Sequence, residues 1–225
     1  MQRRAYRLTG FFYLLVIICA GLSQGYIRGT LVVPGDAAAT AAQILGHGGL
    51  FRMGITLDLV AFLLDVVISM MLYPMFRSYG KTLALISSAL RLIAHPAIGS
   101  LNLLHHYMAA EVLGGAGFLT VFEPAQLEAL SLLFMQAHTY GYLIAGAFFG
   151  LHCLLLGIQI FRSTEIPNLF GAFLLGSGAG YVIETFGNFS LPGYEAYTAL
   201  IVGVAAAIGE VSLTFYFLIK GKRAS

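Results

Sequence analysis

Long apolar runs fill this chain from near its first residue to near its last, and each is as long as a bilayer is thick. A transmembrane helix needs about 20 mainly apolar residues. Runs of that kind fall near 8–27, 54–76, 82–107, 130–160, 168–188 and 197–219. Hydrophobic residues make up 59% of the sequence and charged residues 10%, which leaves too little polar surface to cover a soluble domain of this length. The sequence therefore predicts an all-α, polytopic transmembrane helix bundle of six spans, a single domain over 1–225 whose first partner is the lipid bilayer. The opening Arg3-Arg4-Ala5-Tyr6-Arg7 before an apolar stretch imitates a secretory signal, but reads better as a retained first helix. The fourth run is long enough to tilt or project, and splitting it or demoting the first run gives seven or five crossings.

Six spans put both termini on one side, and the basic residues say which. Arg3, Arg4, Arg7, Lys220, Lys222 and Arg223 flank the termini, and Arg77, Lys81 and Arg162 stand in the short connections on the same side. Opposite them are only Arg28 and Arg52, with Asp36, Glu111, Glu123 and Glu195. Both termini are expected in the cytoplasm and the chain in the cell membrane. The outer segments, 28–53 and 108–129, are the long ones. In the first, Pro34-Gly35-Asp36 is a turn whose aspartate can cap a short interfacial helix or lid over 37–45. In the second, Glu123-Pro124 restarts a helix. Cys19 and Cys153 both lie in apolar runs, so no disulfide framework or zinc motif is indicated. Gly146–Gly150 and Gly176–Gly180 have the small-xxx-small spacing of close helix packing, which would also suit a homodimer contact.

A few ionisable residues survive inside the spans: Asp58, Asp65, Arg91, Glu184 and Glu210. Such groups at membrane depth cost about 3 kcal/mol or more and by default mark a site. Helical spacing places Asp58, Asp65 and Ser69 on one face, and Arg91, His95, Asn102 and His106 on another. His138 and His152 share the fourth span, Ser177, Tyr181, Glu184 and Asn188 the fifth, and Glu210 lies in the sixth near Gly203, Ala206 and Ala207. These faces are most simply satisfied by pointing at each other. In the hairpin turning near Tyr79, Asp65 and Arg91 lie nearly level on adjacent helices. They are expected to pair at the floor of a polar cavity that opens outward. Glu184, nearer the outer water, is expected to use Tyr181 and Asn188 as hydrogen-bond partners, and deeply placed Glu210 to stay neutral. The His105-His106 pair lies near the outer boundary and reads as interfacial.

Several segments also resemble a bacterial membrane family known as domain of unknown function 4386. They are Val33-Pro34-Gly35-Asp36-Ala37-Ala38-Ala39-Thr40, Gly49-Leu50-Phe51-Arg52, the helix that carries Asp65, Phe122-Glu123-Pro124-Ala125-Gln126-Leu127, the run from Phe148 to Gly157 containing His152-Cys153, Gly180-Tyr181, Leu191-Pro192-Gly193-Tyr194 and Gly209-Glu210. Glu184 stands where aspartate is expected as often, and an acid is kept. The resemblance implies a multi-span fold in a bacterial inner membrane and implies no activity.

Four functions fit these residues. One is an intramembrane enzyme on an isoprenoid or lipid, with Glu210, Glu184, Asp65 and His138 as catalytic candidates. Asp58, Arg91, His95, Asn102, His106, Tyr181 and Asn188 would then line its pocket, and aromatic faces would meet a cationic intermediate. Another is a proton-coupled carrier using the same acids and histidines, although no repeat or broken-helix pair supports it. A metal or haem site at His95, His106 and His138 lacks any ligand spacing of the HExxH kind, so no metal is assigned and the cofactor stays unknown. A sensor or assembly partner would use the outer segments. No phosphate-binding loop, dinucleotide fingerprint or nucleophile elbow is present, and nothing suggests nucleic-acid binding. The balance of these readings favours a pocket for a lipophilic or amphiphilic small molecule.

Overall fold

A computed structural model describes residues 2–220, and the chain is helical through all its long segments. Helices are what a bilayer permits, because each backbone N–H and C=O is then satisfied within its own segment. The helices long and apolar enough to cross a membrane are six among the described residues. They are α1 (Arg4–Leu31), α3 (Gly48–Tyr79), α4 (Lys81–Glu111), α5 (Pro124–Arg162), α6 (Asn168–Ser190) and α7 (Glu195–Lys220). The shorter α2 (Ala37–Gly46) joins α1 to α3. Lys222 and Arg223, which entered the charge count, lie outside the described residues, as does the side chain of Arg3.

Each spanning helix packs on the next in the chain, and α7 packs back on α1, so the six close into a ring. The closest approach in that ring, between α5 and α6, is made by glycines. A Cβ at Gly178 would lie 2.6 Å from the Gly150 carbonyl oxygen, and one at Gly157 would lie 2.9 Å from that of Gly171. The contact therefore uses Gly150, Gly157, Gly171 and Gly178, whereas Gly176 faces open space. Toward the termini the ring is filled by an apolar core that includes Tyr6, Leu72, Phe76, Leu156, Ile160 and Phe217.

At the opposite end, α2 lies against α5 and closes the bundle. Asp36 caps it by accepting a 2.9 Å bond from the Ala39 amide, and Ile44 packs with Ile27, Leu31, Phe51, Ala109 and Met135. The helix α5 starts at Pro124, where Glu123 and Gln126 form a reciprocal capping box.

Most helices run further than hydropathy alone suggests, and the extension of α1 has the largest consequence. It continues to Leu31, so Arg28 is buried within the bundle rather than exposed in an outer segment. Of the two basic residues assigned to that side, only Arg52 is exposed. Three stretches widen to π-helical geometry: Gly21–Arg28 in α1, Ile93–Gly99 in α4 and Ala207–Val211 in α7. Pro96, which cannot donate a backbone hydrogen bond, sits in the second. Such widenings are rare and concentrate at functional sites. Here they carry Gln24 and Arg28, His95, and Glu210.

Candidate functional site

At the centre of the ring four spanning helices contribute side chains to one group, and the other two contribute a pair beside it. Asp65 of α3 pairs with Arg91 of α4 through Oδ1 and Nη2, and its Oδ2 meets His95 Nδ1 at 2.9 Å. Arg91 Nη1 donates to the Tyr13 hydroxyl of α1 at 3.0 Å and lies 3.3 Å from His152 Nε2 of α5. Its guanidinium carbon is 4.6 Å from the Tyr13 ring centroid and 5.0 Å from that of Phe149. His152 Nδ1 is 2.9 Å from the Ser87 carbonyl oxygen, so Nδ1 carries the proton and Nε2 accepts from Arg91. Beside this group, Tyr181 of α6 donates a 2.8 Å bond to Glu210 Oε1 of α7. Asp65 and Arg91 are thus paired, as their equal depth in the α3–α4 hairpin requires.

Above the pair lies a partly enclosed cavity of about 330 Å³. Its polar wall is Asp65, Arg91, His95, Tyr181, Glu184 and Glu210, and its apolar wall includes Val16, Ile17, Ala20 and Leu143. Gln24, Thr139 and Glu184 stand toward the end that bears α2. The helices α1 and α5 line this cavity from two sides without packing closely on each other. The Glu184 carboxylate has no hydrogen-bond partner among the described residues. Tyr181, expected to serve it, turns to Glu210 instead, and Asn188 donates to the Glu184 carbonyl at 2.9 Å and to Thr198 at 3.2 Å. Asn188 is a tie between α6 and α7, away from the cavity. The cause is reach: one turn of helix separates Asn188 from Glu184, and the backbone oxygen is the nearer acceptor.

A second buried group sits between the cavity and α2. Arg28 Nη2 is 2.8 Å from Asp58 Oδ2, without the alignment of a directed hydrogen bond. Arg28 Nη1 is 3.1 Å from His106 Nδ1, and Arg28 Nε donates to Gln24 Oε1 at 2.9 Å. His138 Nδ1 is 3.0 Å from the Asn102 carbonyl oxygen, and Asn102 Nδ2 donates to the His138 carbonyl at 2.7 Å. This double tie between α4 and α5 depends on Gly141, because a Cβ there would fall 2.0 Å from Asn102 Oδ1. His106 is fully buried, with its ring 4.1 Å from that of Phe51. It is not interfacial, because Phe51, His138 and Arg28 pack around it.

The structure thus divides the residues expected to form one site. Asp65, Arg91, His95, Tyr181, Glu184 and Glu210 surround the cavity. Asp58, Asn102, His106 and His138 belong to the second group, and Asn188 belongs to neither. Tyr13, Gln24, Phe149 and Tyr142 line the cavity without having been expected there. Tyr142 also joins the two groups, with the Arg28 guanidinium 5.5 Å from its ring and the His138 ring 5.0 Å away. Arg28 was legible only through its spacing of four from Gln24, a weak signal beside the apparent end of the apolar run.

Comparison with known proteins gives a fold family and no activity. The family described as Domain of unknown function (DUF4386) matches residues 8–221. An uncharacterized protein of Archaeoglobus fulgidus is 26% identical over 164 residues, covering 72% of this chain and 80% of its own length. No solved structure matches.

Proposed function

Because the chain belongs to the DUF4386 family, whose description assigns no activity, we propose its function from the cavity itself: it binds a lipophilic or amphiphilic small molecule. The observation that carries this reading is the division of the cavity wall. Glu210, Glu184, Asp65 and Arg91 form its polar side, and Val16, Ile17, Ala20 and Leu143 form its apolar side. In this reading a polar head group meets the acids while an apolar tail lies along the apolar side. The volume of about 330 Å³ suits a head group and the first part of a tail, and falls in the range of small-molecule pockets.

The acids are also placed for proton transfer. Glu210 accepts from Tyr181 through Oε1 while its carboxyl still lines the cavity, and Glu184 faces the same space. Two carboxyl groups with different partners can hold different protonation states, as acid–base chemistry on a bound isoprenoid or lipid requires. The carrier reading needs a second opening, and the apolar core below Arg91 fills that route in this conformation. Both termini face the cytoplasm of a bacterial cell in this reading, and the cavity lies toward the outer leaflet.

The test is to purify the protein in mild detergent and identify bound molecules by native mass spectrometry and solvent extraction. Ala20→Phe, which fills the apolar side, should abolish a co-purifying amphiphile, and Glu210→Gln should weaken it. Recovery of the same amphiphile with both variants would refute the pocket. Orientation is tested by cysteine labelling in a background lacking Cys19 and Cys153. Val121→Cys, at a position 81% exposed, should react from outside and Ser78→Cys should not. The reverse pattern would turn the cavity toward the inner leaflet.

A further inference from the structure

We propose that Asp58, His106 and His138 form a binding site for one divalent transition-metal ion, separate from the amphiphile cavity and independent of that reading. The three residues come from α3, α4 and α5, and a ligand atom of each lies within 4.8 Å of the others. All three are buried, at 1%, 0% and 1% exposure. Two imidazoles and one carboxylate are the donor set that zinc and iron(II) sites use, with positions left for water or another ligand.

The independent sign of a ligand is where the unmatched polar atoms fall. Buried side-chain nitrogens and oxygens almost always find partners. Those without a well-aligned hydrogen bond among the described residues are Gln24 Nε2, Arg28 Nη2, both Asp58 oxygens, His106 Nε2, His138 Nε2 and Arg91 Nε; Tyr142 approaches Asp58 and Gln24, and the Phe51 backbone approaches His106, in looser contacts. All but Arg91 Nε belong to this one group. The orientation of His138 fits as well. Its Nδ1–H is spent on the Asn102 carbonyl, so the lone pair of Nε2 points away from that bond, which is how a metal-ligating histidine is held by its second nitrogen.

Arg28 is the natural competitor. Its guanidinium supplies the positive charge at Asp58, and its Nη1 approaches His106 Nδ1. A guanidinium offers no lone pair, so His106 carries its proton on Nε2 while that contact holds. Metal binding at His106 Nε2 therefore moves that proton to Nδ1, where it can no longer face an Arg28 donor, and requires Arg28 to withdraw toward Gln24, to which its Nε already donates.

The probe is Zn²⁺ added to chelator-treated protein in detergent, followed by calorimetry and elemental analysis. One equivalent should bind to the wild type. Asp58→Asn and His138→Gln should each weaken binding by about tenfold or more, and Arg28→Gln should tighten it by removing the competing cation. His47→Gln, which alters an exposed histidine, should change nothing. Absence of a stoichiometric site in both the wild type and Arg28→Gln would overturn the proposal. Unchanged affinity in Asp58→Asn and His138→Gln would do the same. If those variants fail to fold, the electron paramagnetic resonance spectrum of Cu²⁺ in the wild type decides. Nitrogen hyperfine structure from two imidazoles supports the site, and its absence removes it.

Discussion

The bundle holds two buried ion pairs, and they are built to opposite standards. Around Asp65 and Arg91 the hydrogen-bonding capacity is nearly spent: His95 takes the second carboxylate oxygen, Tyr13 and His152 take Arg91 Nη1, and two aromatic rings cover the guanidinium. Around Arg28 and Asp58, both carboxylate oxygens and two imidazole nitrogens lack well-aligned bonds, and Tyr142 and the Phe51 backbone approach Asp58 and His106 only loosely. A satisfied network specifies one arrangement of its helices, while a half-satisfied one costs stability until something completes it. The inner pair, Asp65–Arg91, thus forms the fixed floor of the cavity, and the outer pair, Arg28–Asp58, is the less completely satisfied of the two, which is the basis of the proposed metal site.

The comparison breaks most readily at the inner pair. Asp65→Asn or Arg91→Gln should each destabilise the protein by about 3–5 kcal/mol, because the surviving charge stays buried without its partner. Thermal unfolding in detergent measures this, and a loss below about 1 kcal/mol would show that the pair is not a structural clamp.

Paired apolar replacements sharpen the contrast. Asp65→Leu with Arg91→Met should still destabilise by about 2–4 kcal/mol, since Tyr13, His95 and His152 all lose their hydrogen-bond partners. Asp58→Leu with Arg28→Met should be neutral or stabilising by about 1–4 kcal/mol, as when poorly matched buried charges give way to apolar packing. Equal penalties from the two double variants would erase the distinction between the two pairs.

Smaller effects separate the cavity from its supports. Asn188→Ala removes the bond to Thr198 and should cost about 0.5–1.5 kcal/mol without changing the amphiphile content. Glu210→Gln keeps an acceptor for Tyr181 and should alter stability by less than about 0.5 kcal/mol, while lowering amphiphile retention. A large fall in melting temperature in Glu210→Gln would instead make that acid a structural strut.

The six spans and the α3–α4 pair could be read from the chain because each rests on local rules. Hydropathy over a bilayer's thickness defines a span. Two residues about equally far from a tight turn on adjacent helices, as Asp65 and Arg91 are from Tyr79, must lie level. Asp36 and Glu123-Pro124 likewise marked the starts of α2 and α5 by chemistry confined to one turn. Rotational detail was not legible in the same way. Three π-helical segments shift the faces of α1, α4 and α7, and these redirect Gln24, His95 and Glu210 relative to a regular 3.6-residue period.

Arg28 shows the limit most clearly. From the sequence it marks the end of an apolar run, and it becomes a buried partner of Asp58 only because α1 continues to Leu31 and α2 folds over it. Likewise His106 and His138 follow no metal-ligand spacing, since they meet across α4 and α5 rather than along one helix. The amino-acid sequence by itself determined that this chain is a membrane bundle with acids and histidines inside it, because the transfer of side chains from water to lipid is a property of each segment alone. Only the closure of the helices into a ring decided which of those groups share the cavity and which lie sealed beside it. That division depends on helix rotation and on contacts between residues far apart in the chain, and no local pattern encodes it.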